Sequence, residues 1–221
     1  MPPMSESVSL EVANLRRDYS TRGLRRENLS PEPFTQFRLW FQEAQKAELL
    51  EPNAMACATA DKSGRVTART VLLKAFDERG FVFFTNTAST KARQIAENPQ
   101  AALLFTWLPL ERQVSITGPV EQISTAETLA YFASRPFGNR LGAWVSIQSS
   151  IIPSRKILEM KFEEMKAKFA NGEVPLPDFW KGYRVSPQSI EFWQGAMNRL
   201  HDRFVYTRQP GDTWSIDRLA P

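Results

Sequence analysis

The chain has 221 residues, of which 42% are apolar and 24% are charged, with a formal net charge of +4. This length allows one large domain or two small ones, the apolar content can bury a core, and no apolar run approaches the ~20 residues of a membrane-spanning helix. One cysteine and one histidine are too few for a zinc site or an internal disulfide, and basic residues interspersed with acids argue against a nucleic-acid partner.

Residues 1–30 are polar, rich in arginine and without sustained apolar periodicity. The first ten residues lack the basic start and apolar core of a secretion signal, so we expect a cytoplasmic location. Composition favours a mobile leader. The alternative is a basic flap that closes over an anionic ligand. We interpret residues 31–221 as a single domain.

The first part of this domain predicts a helix followed by a meander of strands. Aromatic residues recur at helical spacing after Pro33, and Pro52 should end that helix. Ser89 is placed to cap a second, shorter helix, which Pro99 stops. Runs of small, β-branched and aromatic residues predict strands at 54–60, 65–73, 81–85, 101–107 and 112–120.

The second part predicts two helices and then more strands. A capping-box pattern at Ser124 opens a helix that Pro136 closes, and a longer helix with one apolar face follows Pro153 and ends near Gly172. Strands are predicted at 182–186, 190–193, 203–207 and 214–216. Strands joined by short turns, without regular strand–helix alternation, predict an antiparallel barrel with helices packed outside.

The sequence has no glycine-rich nucleotide-binding motif, so side chains must hold any bound phosphate. Candidates are Arg69 and Lys74 on one predicted strand, Lys91 at the start of a helix and Arg135 at the end of another. Taken singly, each is more often a solvated surface charge. The odd spacing of Arg69 and Lys74 sends their side chains to opposite faces of a strand, which suits a strand bordering two anionic sites.

Residues 191–204 concentrate Trp, Arg, His and Asp in one turn between two predicted strands. Loops held by a rigid sheet are frequent sites of chemistry. Arg199 and His201 would face the same side of an extended segment, although a structural hydrogen-bonding role for His201 fits the spacing equally well. Cys57 is expected to be a small buried hydrophobe rather than a catalytic thiol.

A set of short motifs occurs in one order along the chain. They are Arg69-Thr-Val-Leu-Leu-Lys74, Phe84-Thr-Asn86, Glu111-Arg-Gln-Val114, Tyr131-Phe-x-Ser-Arg-Pro136, Gly142-Ala-Trp-Val-Ser146, Gln148-Ser-Ser150, Val174-Pro-x-Pro177, Glu191-Phe-Trp-Gln-Gly195, Arg199-Leu-His-Asp-Arg203 and Arg218-Leu-Ala-Pro221. Together they resemble the pyridoxine 5′-phosphate oxidase family over nearly everything from Leu15 onward. The resemblance implies an α+β, β-dominated fold, an antiparallel FMN-binding split barrel with flanking helices, and a homodimer with two flavin sites at the subunit interface.

The resemblance also implies an activity and a set of site residues. The activity is FMN-dependent oxidation of pyridoxine 5′-phosphate and pyridoxamine 5′-phosphate to pyridoxal 5′-phosphate, the last step of vitamin B6 cofactor synthesis and salvage, with oxygen as acceptor and hydrogen peroxide as product. Arg199 and His201 would face the pyridine ring as the catalytic pair. Other implied substrate contacts are Lys74, Tyr131, Arg135, Asn139, Arg16, Arg17 and Tyr19. Implied FMN contacts are Arg69, Thr70, Val71, Leu72, Leu73, Lys74, Phe84, Thr85, Thr90, Lys91, Gln113, Gln148, Ser149, Trp193 and Arg203.

The chain departs from the family pattern at several of these positions. Thr90 stands where the family usually has an Arg at the flavin phosphate, Phe84 where Tyr is common, and Asn139 where Ser commonly helps to hold the substrate phosphate. Loss of that Arg should weaken FMN binding unless another cation substitutes, whereas Asn139 can still donate a hydrogen bond. Arg16, Arg17 and Tyr19 resemble the family segment that folds over the substrate, which favours a flap over an idle tail.

Two rival classes stay open at this point. A split-barrel carrier or sensor would bind flavin or pyridoxal phosphate without turnover, and the presence of both Arg199 and His201 argues for the oxidase instead. A nucleic-acid-binding barrel is suggested by the charge, the tryptophans and the strand-rich pattern. It would need a basic groove with exposed aromatic residues and strongly salt-dependent binding.

Overall fold

The computed structural model describes residues 18–19, 23–145 and 148–221. Within these ranges, ten strands form one curled antiparallel sheet that five α-helices flank. The helices are α1 (Pro33–Lys46), α2 (Thr90–Glu97), α3 (Thr125–Ser134), α4 (Phe137–Val145) and α5 (Arg155–Lys168). The strands are β1 (Ala54–Ala60), β2 (Val66–Leu72), β3 (Ala75–Asp77), β4 (Gly80–Asn86), β5 (Gln100–Trp107), β6 (Arg112–Gln122), β7 (Trp180–Val185), β8 (Ser189–Gln194), β9 (Asp202–Arg208) and β10 (Trp214–Leu219).

The long strand β6 joins two parts of the sheet. Its first half lies between β5 and β8 in the order β10-β9-β8-β6-β5-β1-β2, and its last residues, Val120 to Gln122, pair with β7. Strand β7 pairs with β4, and β2 packs beside β4 to close the barrel. Gly118 lies where β6 changes partners from β8 to β7. This position requires glycine, because a Cβ there would stand 2.0 Å from the Ser186 carbonyl oxygen. The predicted split barrel with flanking helices is confirmed.

Aromatic residues fill the main core, which α1 covers. Successive residues of β5 alternate between buried and more exposed positions, as expected for a strand with one face on the core. Phe37 of α1 is fully buried and contacts Phe105 and Trp107 at centroid distances of 5.1 and 6.1 Å. Helix α1 ends at Lys46 rather than near Pro52, and a turn follows in which Glu48 and Glu51 have positive φ.

A second, smaller core lies beneath α3 and α4 and includes Phe132, Leu141, Phe169 and Trp180. Helix α4 was not predicted, because Gly138 and Gly142 within it weaken the sequence signal for a helix. Strand β3 was also missed, being only three residues long. No residue of α5 is fully buried, so its predicted apolar stripe packs only at its edge.

The chain before α1 is fastened to the last strands. The backbone N–H of Leu24 donates to Asp202 Oδ2 at 2.9 Å, and Tyr206 Oη donates to the Ser30 carbonyl oxygen at 2.6 Å. Burial raises the pKa of Tyr206 to about 12. Arg16 and Arg17 lie outside the described residues, and the division at residue 30 stays a prediction. Among the described helices, none is long and apolar enough to cross a membrane.

Candidate active site

Two separate hollows on the barrel contain most of the predicted site residues. The first, here called the cationic hollow, consists of two adjoining cavities of about 230 and 300 Å³ between the ends of β2 and β4, α2, α3 and α4. The second, here called the indole hollow, is a cavity of about 360 Å³ on the outer face of β6, β8 and β9. The cationic hollow is lined by Thr70, Val71, Leu72, Lys74, Phe84, Thr85, Asn86, Lys91, Tyr131, Arg135, Gly138, Asn139, Gly142, Ala143, Gln148 and Trp180.

A buried lysine forms the floor of the cationic hollow. Ser89 caps α2 by accepting a hydrogen bond from the Ala92 N–H at 3.3 Å, which places Lys91 in the first helical turn. The Lys91 side chain is 7% exposed, and its Nζ donates to Thr85 Oγ1 at 2.9 Å and to Gln148 Oε1 at 3.4 Å. Burial, and then the charge of Arg69, lower the pKa of Lys91. A cation at a helix amino terminus is well placed to attract an anion.

Arg69 lies behind this floor, on the inner face of the barrel. Its guanidinium donates to the Cys57 carbonyl oxygen at 2.9 Å, to Thr59 Oγ1 at 2.8 Å and to Thr67 Oγ1. All these partners are neutral, so the charge of Arg69 is held in place without being cancelled. Burial raises the pKa of the Cys57 thiol, consistent with its predicted role as a small core residue.

Lys74 stands apart from Arg69, at the exposed end of the same segment. Strand β2 ends at Leu72, so the predicted strand through Leu73 is too long, and strand alternation does not extend to Lys74. The two cations nevertheless occupy different surroundings: Arg69 is inside the barrel, and Lys74 lines the cationic hollow. Leu73 is buried in the core and lines neither hollow.

Arg135 enters the cationic hollow from the end of α3. Pro136 disfavours helical geometry in the residue before it, and Arg135 accordingly has φ −74° and ψ 145°. Its Nη1 atom is buried and has no hydrogen-bond partner. Burial lowers the pKa of Arg135. One turn earlier on α3, the ring of Tyr131 stacks on Phe84 at a centroid distance of 4.2 Å.

The cations of this region share one electrostatic feature. Among the described residues, no carboxylate lies within ion-pair distance of Arg69, Lys74, Lys91 or Arg135. Burying positive charge without a counter-charge is unfavourable, and a bound anion relieves that cost. The arrangement fits one or more phosphate groups, which take charge-assisted hydrogen bonds from Arg and Lys.

The indole hollow contains a row of three predicted residues. Gln113, Trp193 and Arg203 lie opposite one another on β6, β8 and β9. Arg203 donates to both carboxylate oxygens of Glu191, at 2.7 and 3.1 Å, and this pairing raises its pKa. Unlike the cations of the first hollow, Arg203 therefore has a counter-charge. The hollow is lined by Leu104, Gln113, Ser115, Glu191, Trp193, Arg203 and Pro221.

The loop between β8 and β9 carries the predicted catalytic pair. His201 Nδ1 accepts a hydrogen bond from the Ala196 N–H at 3.1 Å, so a neutral ring carries its proton on Nε2. Burial and the charge of Arg199 lower the pKa of His201. The turn predicted between the two strands is present: Met197–Arg199 forms a short turn in which Arg199 has φ 62°. The alternation of an extended segment therefore does not apply to Arg199 and His201.

Tyr19 contacts both Arg199 and His201. Its ring packs edge-on against Trp193 at 5.8 Å and His201 at 5.1 Å, and Arg199 Cζ lies 5.7 Å from its centroid. Gly195 makes room for this ring, because a Cβ there would lie 2.4 Å from Tyr19 Cδ1. Arg199, His201 and Tyr19 are thus neighbours beside Trp193.

The remaining predicted residues lie around the first hollow. Thr90 begins α2, and its N–H donates to Ser149 Oγ at 3.3 Å. Asn139 lines the cationic hollow beside Arg135. Sequence reasoning missed several lining residues, among them Trp180, which borders both cavities of that hollow. The two hollows have no lining residue in common, so they are separate cavities.

Comparisons with known proteins agree with this architecture along the whole chain. A family model described as "Pyridoxamine 5′-phosphate oxidase" matches residues 41–169, and one described as "Pyridoxine 5′-phosphate oxidase C-terminal dimerisation region" matches residues 180–221. A pyridoxine/pyridoxamine 5′-phosphate oxidase of Crocosphaera subtropica is 62% identical over 96% of this chain and 100% of its own length. One of Aliarcobacter butzleri is 58% identical, also over 96% and 100%.

Two solved structures resemble this chain over most of its length. PhzG from Burkholderia lata, in complex with tetrahydrophenazine-1-carboxylic acid, has a TM-score of 0.85 and 30% identity over 91% of this chain and 100% of its own. An FMN-binding protein of Nostoc punctiforme, related to pyridoxamine 5′-phosphate oxidase, has a TM-score of 0.68 at 18% identity over 87% and 100%, which shows the shared fold alone. The chain therefore belongs to the pyridoxine/pyridoxamine 5′-phosphate oxidase family.

Proposed function

We propose that this chain oxidises pyridoxine 5′-phosphate and pyridoxamine 5′-phosphate to pyridoxal 5′-phosphate, with FMN as cofactor and oxygen as electron acceptor. The observation that carries the proposal is the cationic hollow: Lys74, Lys91 and Arg135 line it, and no carboxylate among the described residues neutralises them. A phosphorylated cofactor and a phosphorylated substrate together account for so many cations. Full-length relatives with this activity in their names support the same reaction.

The residues around α2 fit the phosphate of FMN. Lys91 supplies a buried cation in the first turn of α2, where the helix dipole also favours an anion. Thr85 and Gln148 already hydrogen-bond to Lys91 and to each other, at 2.8 Å between Thr85 Oγ1 and Gln148 Oε1, so they fix its position. Bound FMN would accept a hydride from the substrate and pass the electrons to oxygen, giving hydrogen peroxide.

Tyr131, Arg135 and Lys74 would anchor the phosphate of the substrate. The orphaned Nη1 of Arg135 is a donor that lacks an acceptor, and a phosphate oxygen supplies one. Lys74 lines the same cavity and adds a second cation. Asn139 borders the adjoining cavity and can donate a further hydrogen bond.

Arg199 and His201 would hold the pyridine ring. Neutral His201 presents an Nε2–H donor, since its Nδ1 is occupied by the Ala196 N–H. The planar guanidinium of Arg199 can lie against a ring and hydrogen-bond in its plane. Their task is orientation: keeping the donor carbon within reach of the flavin and water out of that contact. The ring of Tyr19 already contacts both Arg199 and His201.

We also propose that each flavin site combines the cationic hollow of one subunit with the indole hollow of the partner subunit. The two hollows share no lining residue, and the region matching the dimerisation model, residues 180–221, contains most of the indole hollow. The outer face of the intervening strands carries small side chains, namely Ala56, Ala58, Ala68 and Ala102. Such a surface lets a second copy of the sheet approach closely.

Product analysis tests the proposed activity. Protein loaded with FMN and incubated in air with pyridoxine 5′-phosphate should form pyridoxal 5′-phosphate and hydrogen peroxide in equal amounts. Unphosphorylated pyridoxine is the matched control and should react far more slowly, because it lacks the group that the cationic hollow binds. Bound flavin without any aldehyde product would favour the carrier or sensor class.

A heterodimer of two inactive variants tests the shared site. Lys91→Ala damages the cationic hollow, and Arg199→Ala damages the loop beside the indole hollow. If each site uses both subunits, a purified heterodimer has one site with both lesions and one intact site, and about half of the wild-type activity returns. If each site lies within one subunit, the heterodimer stays inactive.

A further inference from the structure

The half-buried Arg135 has an unusual support. Buried guanidinium groups are normally held by carboxylates, but the described residues provide none for Arg135, and its Nη1 has no hydrogen-bond partner. Instead, its Cζ lies 4.8 Å from the centroid of the Trp180 ring and 5.8 Å from that of Phe132. These distances are typical of cation–π contacts.

Trp180 is itself held rigidly. It is 8% exposed, begins β7 opposite Asn86 of β4, and donates its backbone N–H to the Pro177 carbonyl oxygen at 3.0 Å. Its ring lies almost parallel to that of Phe84, at 4.9 Å and 9°. Gly182 leaves space for this stack, because a Cβ there would lie 2.7 Å from Phe84 Cε1.

The same stack extends to the second residue of the phosphate site. Tyr131 lies 4.2 Å from Phe84 and 6.1 Å from Trp180, with interplanar angles of 20° and 11°. Phe132 meets Trp180 edge-on at 5.3 Å. The indole ring therefore contacts Arg135, just after α3, and supports Tyr131 of α3 through Phe84.

We propose that Trp180 is a positioning residue for the substrate phosphate: its indole face fixes the guanidinium of Arg135 and, through Phe84, the ring of Tyr131. A carboxylate in this place would hold Arg135 equally well but would cancel the charge that binds phosphate. An aromatic face orients the cation and leaves its N–H groups and its charge available. The inference rests on the proposed function, because the phosphate role of Arg135 belongs to it.

The alternative is that Trp180 only fills the second core. A packing role would lower the melting temperature when the ring is removed and would leave phosphate affinity alone. The readouts are therefore the KM for pyridoxine 5′-phosphate, kcat, and the affinity of the FMN-loaded protein for inorganic phosphate by titration calorimetry. Trp214→Leu is the matched control, since Arg208 lies over that indole at 6.0 Å, outside both hollows.

We expect Trp180→Leu to raise KM and to weaken inorganic phosphate binding about two- to thirtyfold, the range that loss of one partly desolvated cation–π contact gives. The kcat and the FMN content should change little. Trp180→Phe keeps a smaller aromatic face, so it should show a milder loss and provides the test if the leucine variant does not fold. Trp214→Leu should leave phosphate affinity unchanged.

Combining the substitution with Arg135→Ala makes the test specific. If Trp180 acts through Arg135, the two effects on phosphate affinity should be strongly non-additive, with Trp180→Leu adding little once Arg135 is gone. Wild-type phosphate affinity in both Trp180 variants, or full additivity, would overturn the inference. Failure of the wild-type protein to oxidise pyridoxine 5′-phosphate would contradict the proposed function instead, while phosphate titration would still decide the role of Trp180.

Discussion

Replacing Arg135 with alanine removes a guanidinium that lines the cationic hollow and carries a donor without a partner. Nη1 is buried without a partner, and the described carboxylates all lie beyond ion-pair distance. The variant should keep its flavin, because the residues assigned to the FMN phosphate, Lys91 among them, lie on α2 rather than α3. The loss should therefore fall on substrate binding.

The size of that loss follows from the bond that disappears. A hydrogen bond to a charged group contributes about 1.5–3 kcal/mol, which corresponds to about ten- to 150-fold in affinity. Arg135 is only half-buried, so solvent screening places the expected change toward the lower end, at about ten- to thirtyfold. Phosphate is held equally in ground and transition states, so the change should appear in KM, with kcat within about threefold of wild type.

Steady-state kinetics over a wide range of pyridoxine 5′-phosphate concentrations measures this split. Arg140→Ala is the control, because Arg140 also has an orphaned buried nitrogen but lines neither hollow, and its KM should match the wild type. The KM of Arg135→Lys should fall between those of the wild type and the alanine variant, since lysine keeps the charge but lacks the paired N–H donors of the guanidinium. An Arg135→Ala enzyme with unchanged KM, or one whose defect lies wholly in kcat, would refute the reasoning.

Further predictions concern the loop between β8 and β9 and the start of α2. Arg199→Lys should retain FMN but reduce its flavin about 100-fold more slowly, because the pyridine ring of the substrate is no longer held in the right orientation to the flavin. Flavin reduction at the wild-type rate would contradict the role assigned to Arg199. Thr90→Arg should tighten FMN binding in a flavin titration, but only modestly, because the Arg93 guanidinium already reaches Thr90 Oγ1 at 3.4 Å. Arg93→Ala should weaken FMN binding, and adding Thr90→Arg to it should restore the affinity. An unchanged FMN affinity in Arg93→Ala would show that Arg93 lies outside the site. Folding lowers the pKa of His201 below its ordinary value of about 6.5. The ring is therefore neutral at pH 6.5 and above, and it becomes protonated only as the pH falls through the lower pKa of the folded protein. The acid limb of kcat/KM should therefore lie below pH ~6.5, and a limb at higher pH would contradict the neutral assignment.

Local signals in the sequence located several elements accurately. Ser124 and Glu127 form the predicted capping box, with Ser124 Oγ accepting from the Glu127 N–H at 3.1 Å, and α3 ends at Ser134 as expected. Ser89 caps α2 as predicted. These boundaries depend on residues three or four positions apart, which a single sequence displays directly. The ends of α1 and β2 were placed too late, because the turns after them are not marked by a proline or glycine at the point where they begin.

Long-range contacts account for what the sequence did not reveal. Arg135 was predicted as a phosphate ligand from its position at the end of a helix and from the family resemblance, but Trp180, which packs against it, lies far along the chain on β7 and gives no local signal. Arg69 was a candidate phosphate ligand with a solvated surface charge as the alternative, and the barrel holds its guanidinium among Cys57 and two threonines. Such pairings follow from sheet topology, which periodicity and turn residues do not specify.

Anaerobic mixing of the FMN-loaded protein with excess pyridoxine 5′-phosphate tests the central claim most directly. The flavin absorbance should bleach completely, with one pyridoxal 5′-phosphate formed per flavin, and admitting oxygen should restore the spectrum and release hydrogen peroxide. A flavin that stays oxidised under these conditions would contradict the assignment of this chain as the oxidase.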